Sequence, residues 1–215
     1  MLTVEDLAAG YGGRPLIEGW QFSVAPGEAV GIVGKNGVGK STLLKAIVGE
    51  LPRLRGRVLL DGRAVPGDLS RMLPLFGIGY LPQYGRNIPN LTVAENLRLC
   101  LGLGWADVVR AASRSEGLDS ILAQLSSASP NQLAGNLSGG QNVLLSLLCL
   151  LLRGCRYLLL DEPSAGVDRE NMRLLAGSFS RVKRSGIGFV IVEQDEGFLG
   201  AVVDQRLDCG RYQAS

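Results

Sequence analysis

The sequence predicts an α/β fold: a mostly parallel sheet covered on two sides, an antiparallel β-subdomain near the N-terminus, and an inserted α-helical subdomain. Three observations predict it. Ala29–Val33, Tyr157–Leu160 and Gly188–Val192 are short apolar runs without alternation, the pattern of strands buried on both faces of a parallel sheet. Helical segments alternate with these strands along the chain, the order expected of α/β architecture. From Val93 to Leu152 the spacing is helical almost throughout and lacks β-branched runs, which sets the middle apart as a helical unit.

In chain order, Leu2–Asp6, Gln21–Ala25, Ala29–Val33 and Val58–Leu60 read as strands, with turn chemistry at Pro26-Gly27 and Asp61-Gly62. A helix from about Lys40 to Val48, ended by Gly49, interrupts them. Thr92 is placed to cap the helix that begins at Val93, with Glu95 as its capping-box partner. A strand at Tyr157–Leu160, a helix from about Arg169 to Lys183 and a strand at Gly188–Val192 complete the pattern. The 215 residues read as one domain, with 1–82 and 153–215 forming a core and β-subdomain and about 83–152 the helical subdomain.

Composition narrows the functional classes. Apolar residues make up 46% of the chain and charged residues 20%, a globular balance. A net charge of +2 gives no electrostatic footprint for nucleic acid, which is excluded as a partner. Met1 to Asp6 carries two acids and no basic, apolar leader, so no secretory signal is expected. The longest apolar run, Val143 to Leu152, is interrupted by Ser146 and falls well short of the ~20 residues of a bilayer span; it reads as a buried helix. Cys100, Cys149, Cys155 and Cys209 lack metal-type spacing and read as reduced thiols. The chain has no histidine, which removes histidine general bases, triads built on them and the commonest metal ligand.

Gly34-Lys35-Asn36-Gly37-Val38-Gly39-Lys40-Ser41 fits the phosphate-loop pattern G-x-x-x-x-G-K-S/T, between a predicted strand and a predicted helix. Glycines let the backbone turn its N–H groups toward phosphates, and the helix N-terminus adds its positive dipole end. Lys40 would reach the β- and γ-phosphates, and Ser41 would ligate Mg²⁺; Thr42 completes the nucleotide-binding stretch. A P-loop NTPase with a RecA-like core follows, with ATP and Mg²⁺ as cofactors. Asp161 and Glu162 end the buried strand that begins at Tyr157, where parallel sheets bind ligands. Asp161 would hold the metal and Glu162 would act as the general base on the attacking water.

Leu137-Ser138-Gly139-Gly140-Gln141 lies about a hundred residues after the phosphate loop and about twenty before Asp161. With this motif the sequence resembles the ABC ATPases over nearly its whole length. The resemblance implies that Ser138, Gly139, Gly140 and Gln141 cap the γ-phosphate of an ATP held by a partner subunit. It also implies that Tyr11 stacks on adenine, that Gln83 joins the Mg²⁺ site to the helical subdomain, and that Asp168 contacts the partner. Gln194 stands where most of the family has a histidine at the γ-phosphate, and glutamine hydrogen-bonds without carrying a proton. The Val192-Glu193-Gln194 form, the phosphate loop and Pro89–Leu97 resemble ATPases of branched-chain amino-acid and urea/amide importers. Two departures stand out: Asn142 follows Gln141 where more glutamines are usual, and leucines and Cys149 replace the later arginine.

The resemblance therefore implies an ATP-hydrolysing motor subunit that pairs with itself or with a second, related ABC ATPase. Its expected partners are transmembrane permease subunits and a periplasmic or extracellular substrate-binding protein, for import of a small polar nutrient. Its expected location is cytoplasmic, peripheral on the inner face of the plasma membrane. An exporter ATPase and a non-catalytic ATP-binding regulatory subunit are the alternatives.

Overall fold

The structure, a computed structural model, describes residues 1–67, 76–84, 87–125 and 129–212. The N-terminal part is a four-stranded antiparallel sheet of order β2-β1-β4-β5, built from β1 (Leu2–Tyr11), β2 (Arg14–Val24), β4 (Arg53–Leu60) and β5 (Arg63–Val65). These strands run longer than the sequence pattern suggests. Ala8, Ala9 and Gly10 at the end of β1 are poor strand formers in isolation, yet they pair with both β2 and β4 through register shifts. Gly12 and Gly13, with φ of 59° and 78°, make the two-residue turn into β2. Basic residues hide β4: Arg57 pairs with Glu5 at 2.5 Å and Arg55 with Asp6 at 2.9 Å across the strands. A Cβ at Gly56 would lie 2.3 Å from the Asp6 carbonyl oxygen, so glycine permits that approach.

The second sheet is parallel, of order β6-β7-β8-β3-β9, from β3 (Ala29–Val33), β6 (Ile78–Leu81), β7 (Tyr157–Asp161), β8 (Gly188–Val192) and β9 (Gln205–Asp208). Every residue of β7 and β8 is buried, as the unbroken apolar runs require. Sequence patterning does not reveal β9, because it is an edge strand with mostly exposed residues. One face of the sheet packs with α1 (Lys40–Ile47) and the antiparallel sheet into a core that includes Trp20, Leu43, Leu44, Ile47 and Val190. The other face meets α5 (Gly139–Leu152), α6 (Arg169–Arg184) and α7 (Glu196–Val202), where Phe179 lies 5.5 Å from Phe189 and 5.4 Å from Phe198 between ring centroids.

Three further helices, α2 (Val93–Leu101), α3 (Trp105–Ala112) and α4 (Glu116–Leu125), precede α5. Thr92 caps α2 as expected: its hydroxyl accepts from the Glu95 N–H, and the Glu95 carboxylate accepts from the Thr92 N–H at 2.8 Å. Gly102 in the left-handed conformation ends that helix. Among the described residues no helix is long and apolar enough to cross a membrane. The parallel register decides where chemistry can sit. Ile32 pairs with Val192, which pairs with Asp161. The segments leaving β3, β7 and β8 therefore emerge together at the carboxyl edge of the sheet.

Candidate active site

The phosphate loop leaves β3 at that edge and enters α1. Gly34, Gly37 and Gly39 have φ of 147°, 80° and 102°, values that disfavour side chains with a Cβ. Gly39 is the N-cap of α1 and has no side-chain cap, so the helix opens with N–H groups directed at the loop. Lys40 is 5% exposed, and its Nζ donates to the Gly34 carbonyl at 2.7 Å and the Lys35 carbonyl at 2.9 Å. The cation is thus folded back onto the loop that it would share with a bound phosphate. A cavity of about 300 Å³ is lined by Leu16, Asn36, Gly37, Gly39, Lys40, Ser41, Thr42 and Glu162.

Asp161, 6% exposed at the end of β7, accepts from the Ser41 hydroxyl at 3.0 Å and from the Tyr80 hydroxyl at 3.5 Å. Burial, followed by the neighbouring Glu162 charge, holds its carboxyl above the usual range. Glu162 follows in a left-handed conformation, φ 46°, with its N–H on the Val192 carbonyl at 2.8 Å. This aims its side chain back across the strand ends. Two glutamines hold its carboxylate: Gln83 donates to one oxygen at 2.5 Å and Gln194 to the other at 2.8 Å. Gln194 also donates to Asn36 Oδ1 at 2.8 Å, closing a link from the end of β8 to the phosphate loop.

Of the residues predicted from the sequence, the phosphate loop, Gln83, Asp161, Glu162 and Gln194 come together at this edge, whereas Tyr11, the Ser138–Gln141 motif and Asp168 lie elsewhere. Gln83 bonds to Glu162, whereas Ser41 and Asp161 pair with each other. Asp168 caps α6, accepting from the Glu170 and Asn171 N–H groups at 3.1 and 3.0 Å, with Asn171 Nδ2 at 2.7 Å. Tyr11 lies at the end of β1, 59% exposed, outside the phosphate cavity. Ser138 caps α5 in a capping box: its N–H donates to Gln141 Oε1 at 3.0 Å and its hydroxyl accepts from the Gln141 N–H at 3.3 Å. Ser138, Gly140 and Gln141 line a separate cleft of about 210 Å³ that shares no residue with the phosphate cavity. The chain therefore carries its phosphate loop and its Ser138 motif at different places.

Three contributors went unread in the sequence. Leu16, in β2, walls the phosphate cavity because the hairpin folds over Gly39. Tyr80, in β6, reaches Asp161. Glu193, 3% exposed, accepts from the Ser164, Gln194 and Asp195 N–H groups at 3.1, 2.7 and 3.1 Å, tying the segment after β8 to the one after β7. A buried acid beside a predicted strand end was the available signal. Asn142 has a definite place: its backbone and side-chain oxygens accept from Asn87 Nδ2 at 2.8 and 2.6 Å, and its own Nδ2 donates to the Ala134 carbonyl at 3.2 Å. Ser146 donates to Asn87 at 3.2 Å. This network joins α5 to the segment that follows Gln83.

Gly139 is fixed by a close approach. A Cβ there would lie 2.5 Å from the Gly166 carbonyl oxygen, so the first turn of α5 packs backbone to backbone on the loop after Glu162. Gly139→Ala is expected to push that turn aside and lower the melting temperature by roughly 5 °C or more. Phosphate binding at the glycine loop should be unchanged, since that cavity is elsewhere; thermal unfolding and equilibrium binding measured together test this.

A family model described as "ABC transporter" matches residues 17–165. The lipopolysaccharide export system ATP-binding protein LptB of Escherichia coli is 32% identical over 200 residues, covering 90% of this chain and 80% of LptB. The ribose import ATP-binding protein RbsA of Bacillus cereus is 28% identical over 194 residues; the match covers 89% of this chain and 39% of RbsA, so the chain spans well under half of that relative. Among solved structures, a nucleotide-free ATP-binding cassette from an ABC transporter superposes with a TM-score of 0.80 at 26% identity, over 97% of this chain and 87% of that one. A cassette solved in its ADP conformation gives 0.78 at 26% identity, covering 97% and 86%.

Proposed function

We propose, because this chain belongs to the ABC transporter family and is an ATP-hydrolysing subunit of that family, that two subunits bury two ATP molecules between them. Each ATP lies between one subunit's residues 34–42 and the Ser138–Gln141 motif of the other. The observation that carries this reading is the Glu162 carboxylate, clamped by Gln83 and Gln194 beside the glycine loop that holds Lys40. Lys40 exchanges two loop carbonyls for phosphate oxygens, Tyr11 stacks on adenine, and Glu162 takes a proton from the attacking water. Gln194 orients that water and the γ-phosphate without itself taking a proton. Asp168 meets the partner subunit near the shared nucleotide.

Ser41, Asp161 and Gln83 suit Mg²⁺, a hard cation that prefers oxygen ligands and retains water. The fit rests on Asp161, a buried carboxyl whose hydrogen-bond partners are two hydroxyl groups. When bound, the ion supplies charge neutralisation to the phosphate oxygens. Closure of the dimer follows from contacts that ATP makes only in the closed state, and loss of the γ-phosphate removes them.

The transported substrate is a small polar nutrient such as an amino acid or urea/amide, taken in through permease subunits with a substrate-binding protein outside. The Val192-Glu193-Gln194 form and Pro89–Leu97 support import. The subunit then sits in the cytoplasm on the inner face of the plasma membrane, with its partner ATPase identical or related. The groove of about 340 Å³ beside Pro82, Asn87 and Leu99 is the place where closure would be passed to the permease. LptB, named as an export protein and matched over most of its length, favours export as the second reading.

The deciding experiment is ATP turnover in vesicles that carry candidate permeases, with and without a substrate-loaded binding protein. Import predicts stimulation by the loaded binding protein together with ATP-dependent uptake. Stimulation confined to a lipid-exporting permease would replace import with export.

A further inference from the structure

Four cysteines are free among the described residues, and two of them occupy one groove. Cys100, near the end of α2 and half-buried, and Cys149, in α5 and 6% exposed, both line the open groove of about 340 Å³ between those helices. Arg153, one turn beyond Cys149, lines it too. We propose that Cys100 and Cys149 are a hydroperoxide-reactive dithiol that closes to a disulfide joining α2 to α5.

The surroundings separate the roles of the two sulfurs. The Cys149 thiol neighbours Cys100 in this groove, and the Arg153 guanidinium adds positive charge. Both favour the thiolate on Cys100, holding its pKa below the ordinary thiol value, while the neighbouring Cys100 and burial push Cys149 up. Cys100, half-buried where Cys149 is 6% exposed, is the sulfur that a hydroperoxide in the groove reaches first, so Cys100 attacks and Cys149 resolves. Cys155 and Cys209 serve as internal contrasts: burial raises each to about 11, and neither lines this groove.

The chemistry balances with a hydroperoxide as oxidant. The Cys100 thiolate attacks the distal peroxide oxygen; an S–O bond forms, the O–O bond breaks, and the alkoxide or hydroxide leaves and is protonated. The Cys149 thiol then loses its proton and attacks the sulfenic sulfur; the S–S bond forms, the S–O bond breaks, and water departs. Two thiols lose two electrons in all, and the peroxide gains them.

The bridge would span two helices that flank the groove lined by Pro82 and Asn87, fixing the segment that follows Gln83. That consequence for turnover rests on the docking role proposed for the groove. The thiol chemistry itself does not.

The test treats reduced, full-length protein with one equivalent of hydrogen peroxide at neutral pH, followed by intact mass and peptide mapping. The expected result is loss of two hydrogens, a Cys100–Cys149 cross-linked peptide, and full reversal by dithiothreitol. Cys149→Ala should stop at a sulfenic acid on Cys100, trapped by dimedone, and Cys100→Ser should lose the reaction. Cys155→Ser should keep it. An unchanged mass in the wild type, a bridge to Cys155, or overoxidation of Cys100 without bridging would overturn the proposal. The wild-type peptide map decides even if a cysteine variant fails to fold. Loss of turnover without the bridge would count against the dithiol and leave the transport reading untouched.

Discussion

Lys40→Ala is expected to lower ATP affinity by ~10²–10³-fold while leaving the fold intact. A charge-assisted hydrogen bond contributes about 1.5–3 kcal/mol, and Lys40 would make more than one to the β- and γ-phosphates; 1.4 kcal/mol corresponds to a tenfold change in affinity. Without nucleotide the ammonium braces the Gly34 and Lys35 carbonyls and is almost fully buried. Its removal therefore acts on two states. It frees two loop carbonyls, which are near enough to the cavity to take up water, and it relieves a buried charge. These effects oppose each other in stability, so the melting temperature should move little compared with the change in binding. Equilibrium titration with a fluorescent ATP analogue, paired with thermal unfolding, separates them. Unchanged affinity in a folded variant would contradict the phosphate-loop reading.

The parts of this site legible in the sequence are those whose physics is local. The glycine loop is contiguous, and its need for positive φ is met within eight residues, from Gly34 to Ser41. Ser138 and Gln141 form their capping box within one helical turn, so the helix start could be read directly. Strands β3 and β8 begin and end where the apolar runs do, because burial on both faces leaves no polar position to blur them. Asp161 was readable as the polar residue that ends such a run.

Non-local contacts were not readable in the same way. Gln83 lies 79 residues from Glu162, and no periodicity links them; family resemblance supplied the residue, and the fold supplied its partner. Leu16 gained a role only when β2 folded over Gly39. Strand β9 escaped notice because an exposed edge needs no apolar pattern. In β4, arginines opposite Glu5 and Asp6 satisfy the solvent face and erase the alternation. Asn142 looked like a departure when judged by motif alone, yet its side chain joins Asn87 to the turn before Ser138.

Glu162→Gln is expected to slow hydrolysis by ~10²–10⁴-fold, keep ATP affinity, and accumulate an ATP-bound dimer. The substitution preserves size and backbone demand, since the left-handed φ of 46° at this position is no worse for glutamine than for glutamate. What changes is proton chemistry and hydrogen-bond parity. The carboxylate accepts from Gln83 on one oxygen and Gln194 on the other, whereas an amide offers one acceptor and two donors. One neighbouring glutamine must turn its amide to present oxygen, and Gln194 is the freer of the two because it is exposed. That turn breaks its donation to Asn36, so the variant should also loosen the link between β8 and the phosphate loop. Matched rises in the ATP on-rate and off-rate, at unchanged affinity, would report this second effect. Turnover measured beside light scattering in ATP separates the outcomes. Hydrolysis at the wild-type rate would move the base away from Glu162, whereas slow hydrolysis without dimer accumulation would place the defect in closure, where the Gly139–Gly166 contact becomes the governing element.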